Sequence, residues 1–170
     1  MGLFSSMRLD SLQDLFVEQL QDLYDAEQRI TEALPKMADA ARNASLKSAF
    51  QQHLRETQNQ IKRLEQVFQT VGQSAKAKTC EAMKGLVSEG SEIVSANGDP
   101  DVKDAALIAA AQRVEHYEIA AYGTARTFAQ RLGKQDAVRL LQQTLDEEAA
   151  TDKKLTALAE QGGINVKATV

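Results

Sequence analysis

Apolar side chains recur every three to four residues along almost the whole chain, and no segment alternates apolar and polar residues with period two. This spacing places the apolar side chains on one face of an α-helix, and that face must pack against another helix to leave water. The pattern therefore predicts an all-α protein. The predicted long helices span about 11–43, 46–71, 102–132 and 135–160.

Turn-forming residues separate these helices. Gly72 closes the second long helix and Gly133 the third, because glycine readily adopts the left-handed conformation that follows many helices. A short helix at about 79–95 lies in the connection between the second and third long helices, and Asp101 is predicted to cap the third. Pro35 is predicted to kink the first long helix or to end it early.

The helices are predicted to form a ferritin-like four-helix bundle made of two antiparallel hairpins. The connection between the hairpins then crosses the length of the bundle and carries the short fifth helix. A chain of 170 residues fits one domain. We therefore expect a single domain over residues 1–170, with the core of the bundle at about 10–162 and a loose tail after it.

Composition and charge exclude several settings. The formal net charge is -4 and no basic run is present, which argues against binding to nucleic acid. The sequence holds no run of about 18 apolar residues, and its N-terminal residues lack the apolar stretch of a signal peptide, which argues against a membrane location. Cys80 is the single cysteine and has no disulfide partner within the chain. A reducing compartment suits such a chain, so we expect it in the cytoplasm.

Acidic residues and one histidine interrupt the apolar stripes of the long helices near their middle. Helical spacing places each of them on the inward face, and an up-down bundle brings them to a similar depth. The candidates are Glu27 on the first long helix, His53 and Glu56 on the second, Glu115 and Glu118 on the third, and Glu148 and Asp152 on the fourth.

These acids need a source of positive charge. An ionised group buried without a partner costs several kcal/mol, as an order of magnitude, and too few lysines or arginines share the inward stripes to neutralise all of them. Two divalent ions, iron or manganese, would supply the charge. Protons shared between carboxylates with raised pKa values are the second solution. The residues alone leave both solutions open.

Five segments resemble the YciF-like bacterial stress proteins, a ferritin-like family of unknown activity. They cover nearly the whole chain: LYDAEQRITEALPKMA, HLRETQNQIKRLEQVF, CEAMKGLVSEG, DAALIAAAQRVEHYEIAAYGT and TLDEEAATDKKLTALA. The resemblance implies a rubrerythrin-type bundle, a homodimer and a di-metal centre in the core. The glutamate ligands of ferritin-like sites carry over to Glu27, Glu56, Glu115 and Glu148, and Glu118 resembles the additional glutamate of rubrerythrin-like sites.

The chain departs from the ferritin-like pattern at both expected histidines. Asn59 follows Glu56 by three residues and Thr151 follows Glu148 by three, where ferritin-like sites carry a histidine. His53 and Asp152 are the candidate substitutes. Such a site contains more oxygen and less nitrogen, which favours iron or manganese over zinc.

Two classes of function follow from these observations. In the first, the protein is an oxidoreductase or a metal-handling protein whose di-metal centre binds and reduces peroxide or dioxygen, with an unidentified electron donor. In the second, the metal site is vestigial and the protein is a non-catalytic, dimeric helical partner in a stress response. The number of inward acids favours the first class, and the missing histidines favour the second. Tyr24 and Tyr122 lie one turn from Glu27 and Glu118, and packing is the favoured interpretation of both tyrosines.

Overall fold

The structure, a computed structural model, describes residues 9–169 and is all-α over that range. It confirms the predicted order of four long helices with a short helix in the connection between the second and the third. Residues 1–8 and 170 of the predicted domain lie outside the described residues. No helix within residues 9–169 has both the length and the apolarity that crossing a bilayer requires. The helices are α1 (Leu12–Ala40), α2 (Ala44–Thr70), α3 (Glu81–Ser95), α4 (Pro100–Arg131), α5 (Gln135–Glu160) and α6 (Ile164–Lys167).

The long helices form two antiparallel hairpins. Connections of three residues, 41–43 and 132–134, join α1 to α2 and α4 to α5, and connections this short make neighbouring helices antiparallel. Contacts of α2 with α5 and of α1 with α4 close the bundle, while α3 packs against α1 and α4. Gly72 and Gly133 end α2 and α4 with φ of 69° and 71°, a conformation that favours glycine.

Asp104 of α4 holds the turn between α1 and α2. Its side chain is buried, and its two oxygens accept hydrogen bonds from the backbone nitrogens of Arg42, at 2.9 Å, and Asn43, at 2.7 Å. Asn43 in turn caps α2, since its side chain accepts from the backbone nitrogens of Ser45 and Leu46. This contact fixes the first hairpin against the second.

Two predicted details were wrong, and one of the two alternatives for Pro35 is excluded. The N-cap of α4 is Asp99, whose side chain accepts from the backbone nitrogens of Asp101 and Val102, so Asp101 lies within the first turn. Pro100 occupies the first helical position, where a missing N–H costs no hydrogen bond. Pro35 does not end α1 early, because the helix continues to Ala40. The predicted loose tail contains the short helix α6, which buries Ile164 in the core.

The apolar core is divided into two parts by a polar layer. One part contains Phe50, Leu107 and Leu155, and the other contains Phe16 and Phe68. Each long helix contributes to both parts and carries inward polar side chains between them. The polar layer consists of Glu27, His53, Thr57, Gln60, Glu115, Glu118, Thr144 and Glu148.

Candidate metal centre

Four side chains of the polar layer meet in one cluster. His53 of α2, Glu115 and Glu118 of α4, and Glu148 of α5 each offer one ligand atom, and these atoms lie within 4.8 Å of one another. All four residues are buried. Glu115 and Glu118 reach the same point because residues three apart lie on one side of a helix, separated by one turn.

Glu27 approaches this cluster from α1. It is buried, and the hydroxyl of Tyr122 donates a hydrogen bond to its Oε1. Packing alone was therefore the wrong interpretation of Tyr122, which holds a carboxylate of the polar layer. Tyr24 lies away from the cluster: its ring packs edge-on against Phe68, and its hydroxyl donates to Glu65 at 3.0 Å.

Polar side chains of α2 and α5 surround Glu148. The amide nitrogen of Gln60 donates hydrogen bonds to Glu148 and, at 3.1 Å, to Glu147. Arg63 donates to Glu147 through both terminal nitrogens at 2.9 Å and to the hydroxyl of Thr144 at 2.6 Å. These bonds join α2 to α5 beside the cluster and hold Glu148 in one orientation.

The structure does not bring Glu56 and Asp152 into the cluster. Glu56 is half-buried at its edge, 3.9 Å from His53 Nδ1, and accepts a hydrogen bond from Gln52. Asp152 accepts a hydrogen bond from Gln112 at 3.0 Å and lies 3.3 Å from Nε2 of the exposed His116. Four of the seven sequence-predicted ligands therefore meet in the cluster, and Glu27 is buried beside it with one oxygen held by Tyr122.

Burial and mutual repulsion disfavour ionisation of Glu27, Glu118 and Glu148. Burial raises the pKa of Glu27 to about 8, although the hydrogen bond from Tyr122 acts in the opposite direction. Burial also raises the pKa of Glu118 well above its usual value, and the charges of Glu27, Glu148 and Glu115 add to this effect. The pKa of Glu148 is raised mainly by burial, against the opposing charge of His53.

His53 is the one imidazole of the cluster. Its Nε2 lies 3.1 Å from Glu115 Oε1, without the alignment of a hydrogen bond. Burial alone would lower the pKa of His53, but the negative charge of Glu115, with contributions from Glu56 and Glu148, raises it well above its usual value. In the absence of metal, a protonated His53 therefore partly neutralises the acids.

The cluster retains many polar atoms without hydrogen-bond partners. Among the described residues, none donates to either oxygen of Glu118 or to one oxygen each of Glu27, Glu115 and Glu148, and neither ring nitrogen of His53 makes a hydrogen bond. A buried polar atom left unpaired costs about 1–3 kcal/mol. Carboxylate oxygens and an imidazole nitrogen are ligands that iron and manganese bind. These residues therefore fit a divalent metal ion.

Two cavities lead to His53 and Glu115 from different sides of the bundle. A cavity of about 250 Å³ lies between α1, α3 and α4 and has mostly apolar walls. A cavity of about 140 Å³ lies between α2 and α5, and Glu56, Glu147 and Lys154 are among its lining residues. The site is thus reached by one apolar route and one route with charged residues.

Sequence reasoning missed several contacts around the cluster. Gln60 follows His53 by seven residues, so it shares the inward face of α2, and that spacing was the signal for it. Arg63 is a buried cation among the acids, and the sequence analysis did not identify it. Glu89 on α3 is exposed and lies 3.7 Å from Arg113, away from the cluster.

Comparison with known proteins identifies the relatives of the chain. A family model described as a domain of unknown function, DUF892, matches residues 11–169. Protein YciF of Escherichia coli strain K12 is 48% identical over 154 residues, which cover 90% of this chain and 93% of YciF. The crystal structure of YciF, which is described as a stress protein, matches with a TM-score of 0.86 over 89% of this chain and 96% of that chain.

Two further solved structures share the fold. YcfI from Rhodopseudomonas palustris, described as a candidate structural protein, is 46% identical with a TM-score of 0.86, covering 90% of this chain and 98% of that chain. A protein from Xanthomonas campestris pv. campestris is 22% identical with a TM-score of 0.75, covering 94% of this chain and 97% of that chain, and it supports the fold alone. The comparisons confirm the resemblance to the YciF-like proteins.

Proposed function

This chain belongs to the family of the domain of unknown function DUF892, and within that family we propose that it is a stress-response protein that binds two divalent metal ions, iron or manganese, in the core of its bundle. The observation that carries the proposal is the buried cluster of His53, Glu115, Glu118 and Glu148 with its unpaired oxygens and nitrogens. A cluster of this kind is unfavourable when its acids are ionised without a cation.

Five buried side chains would hold the two ions. His53, Glu115, Glu118 and Glu148 would hold the first ion. Glu27 would take part in holding the second, because it is buried and one of its oxygens has no hydrogen-bond partner. Bound iron or manganese supplies redox chemistry with peroxide or dioxygen.

The remaining residues orient the ligands and admit the metal. Tyr122 fixes one oxygen of Glu27 and leaves the other unpaired, and Gln60 does the same for Glu148. The apolar layers on both sides limit the access of water. Glu56 lines the smaller cavity that reaches His53 and Glu115, so we assign it to the entry of cations instead of the cluster itself.

Metal content and stability test the proposal together. Metal-free protein is mixed anaerobically with ferrous or manganous ion, desalted and analysed for metal by mass spectrometry. We expect about two ions per chain and a higher melting temperature than without metal, because a ligand that binds only the native state stabilises it. Fewer than about half an ion per chain, with no change in melting, would exclude a metal site of this kind.

The same residues also support a second function. The cluster contains a single imidazole, and His53 already offsets part of the negative charge of Glu115 and Glu148. In this second function the protein is a non-catalytic, dimeric helical component of a stress response, and the description of the relative from Rhodopseudomonas palustris as a candidate structural protein supports the non-catalytic part. The metal analysis above separates the two functions, since this one requires no bound ion.

A further inference from the structure

The larger of the two cavities is an apolar space that ends at the cluster. It has a volume of about 250 Å³ and lies between α1, α3 and α4. Gly90 of α3, Ala33 of α1, and Ala110 and Ala111 of α4 are all part of its wall. Small side chains at these positions leave the space open, while larger apolar side chains complete the wall.

The two ends of the cavity differ in chemistry. At the surface it is lined by the exposed residues Lys36, Ser91 and Ser95. At the inner end it is lined by His53 and Glu115, both buried and both with unpaired polar atoms. The cavity therefore connects solvent to the cluster through apolar walls, and its inner end offers polar atoms to whatever enters.

We propose that this cavity binds a small hydrocarbon molecule with one oxygen-containing head group. The hydrocarbon lies against α3 and the head group lies at His53 and Glu115. An apolar cavity of about 150 Å³ accommodates benzene, so the larger volume here suits a molecule of about ten non-hydrogen atoms. Apolar walls with a few convergent polar groups are the usual character of a small-molecule site. The contact of the head group with metal rests on the proposed function, whereas binding of the hydrocarbon does not.

Two substitutions that fill the cavity test the site of binding. Gly90→Leu and Ala33→Leu place a larger side chain in it from opposite walls, α3 and α1. A Cβ added at Gly90 meets no atom within 4 Å, so a larger side chain can enter the cavity from this position. Gly85→Leu is the matched control, because Gly85 lies on the same helix, also has no atom within 4 Å of an added Cβ, is exposed and does not line the cavity.

Octan-1-ol and octanoate are the probes, and isothermal titration calorimetry measures their binding. Octan-1-ol is expected to bind both the metal-free and the metal-loaded protein, because it is neutral. Octanoate is expected to bind only the metal-loaded protein, because without metal its carboxylate would be buried beside the like charge of Glu115. Gly90→Leu and Ala33→Leu are expected to weaken octan-1-ol binding by at least about tenfold, and Gly85→Leu to change it by less than about twofold.

The outcomes distinguish this proposal from the proposed function. If the protein binds no metal but octan-1-ol still binds and Gly90→Leu abolishes that binding, the cavity is a hydrocarbon site and the metal proposal fails alone. If octan-1-ol does not bind, or binds equally to all variants with native circular dichroism, the cavity proposal is wrong. A shift from oligomer to monomer in Gly90→Leu, without octan-1-ol binding to the unsubstituted protein, would assign the cavity to a second copy of the chain and also overturn the proposal.

Discussion

Among single residues, Glu118 has the fewest hydrogen-bond partners of the clustered carboxylates. No described residue donates a hydrogen bond to either of its oxygens. Burial and the charges of Glu27, Glu148 and Glu115 raise its pKa well above the usual value. A buried carboxyl group without hydrogen bonds does not stabilise the fold by itself. A cation is the partner that would stabilise its charged form.

Glu118→Gln is therefore expected to remove most metal binding while preserving the helix. Glutamine retains the volume and the helix propensity of glutamate but lacks its charge. We expect metal content measured by mass spectrometry to fall below about one-half ion per chain, with Glu115→Gln giving a similar loss. His116→Gln is the control, since His116 is exposed and outside the cluster. Equal loss in the control would contradict the assignment of Glu118.

Glu56→Gln is expected to slow metal loading without changing the final metal content. Glu56 is half-buried and lines the smaller cavity, so its charge attracts cations to the route between α2 and α5. Stopped-flow loading with ferrous ion at low salt should show a rate reduced by about two- to tenfold. Glu89→Gln removes a charge on α3 away from that cavity and serves as the control. A large loss of final metal content in Glu56→Gln would instead make Glu56 a ligand.

At the scale of helices, one carboxylate fixes the position of a hairpin. Asp104 of α4 accepts two backbone hydrogen bonds from the turn between α1 and α2. The turn contains Asn43, which caps α2, so this contact holds the start of α2. A hydrogen bond to a charged group contributes about 1.5–3 kcal/mol, and burial of Asp104 keeps water from replacing it.

Asp104→Ala is expected to lower the free energy of unfolding by about 3 kcal/mol, measured by urea denaturation, because two backbone N–H groups lose their acceptor. Asp101→Ala, one turn earlier on the partly exposed face, is the control and should change it by less than about 1 kcal/mol. Metal content under native conditions should be equal in the two variants, because Asp104 lies about three turns from Glu115. An effect of Asp104→Ala no larger than that of the control would show that water replaces these bonds.

For the whole molecule, the clustered acids make the stability of the metal-free protein depend on pH. The folded-state pKa of Glu27 is raised to about 8 from a reference of 4.5, and those of Glu118 and Glu148 are raised in the same direction. A group of this kind binds its proton more tightly in the folded state. Its stabilising contribution is complete below the unfolded pKa and is lost as pH rises through the folded pKa. The raised pKa of His53 has the same sign.

Metal-free protein is therefore expected to become less stable between pH 4.5 and pH 8, the reference and raised pKa values of Glu27. The loss should be on the order of 1 kcal/mol or more, measured by urea denaturation across this range. The pKa of the half-buried Glu56 is lowered, so its contribution to stability has the opposite pH dependence. That contribution is lost as pH falls below the reference value of 4.5. Bound metal should remove the decline, because it holds the acids in their charged form.

Glu27→Gln provides the check on this pH dependence. Glutamine retains an acceptor for the hydroxyl of Tyr122 and does not ionise. The metal-free variant should lose less stability than the unsubstituted protein as pH rises, and its metal content should fall from about two ions to about one. Stability that rises steadily with pH in the unsubstituted metal-free protein would mean that these acids are solvated or paired.

The sequence by itself determined the fold class, the number and order of the long helices, and the depth of the polar layer. Helical periodicity is a local property, so the interruption of each apolar stripe by Glu27, Glu115, Glu118 or Glu148 is visible without any tertiary information. Because the helices are antiparallel and of similar length, these interruptions meet at one level. The family resemblance added the expectation of metal at that level.

Only the tertiary structure decided which inward polar residues share one site. Residues three or four apart on a helix differ by about 40–60° around its axis, so sequence spacing does not distinguish His53 from Glu56, or Glu148 from Asp152. The packing of α2 against α5 turns His53 and Glu148 to the centre and leaves Glu56 and Asp152 half-buried at the edge. The same packing brings Gln60 and Arg63 to their acids, and it is a property of the assembled helices, not of any one of them.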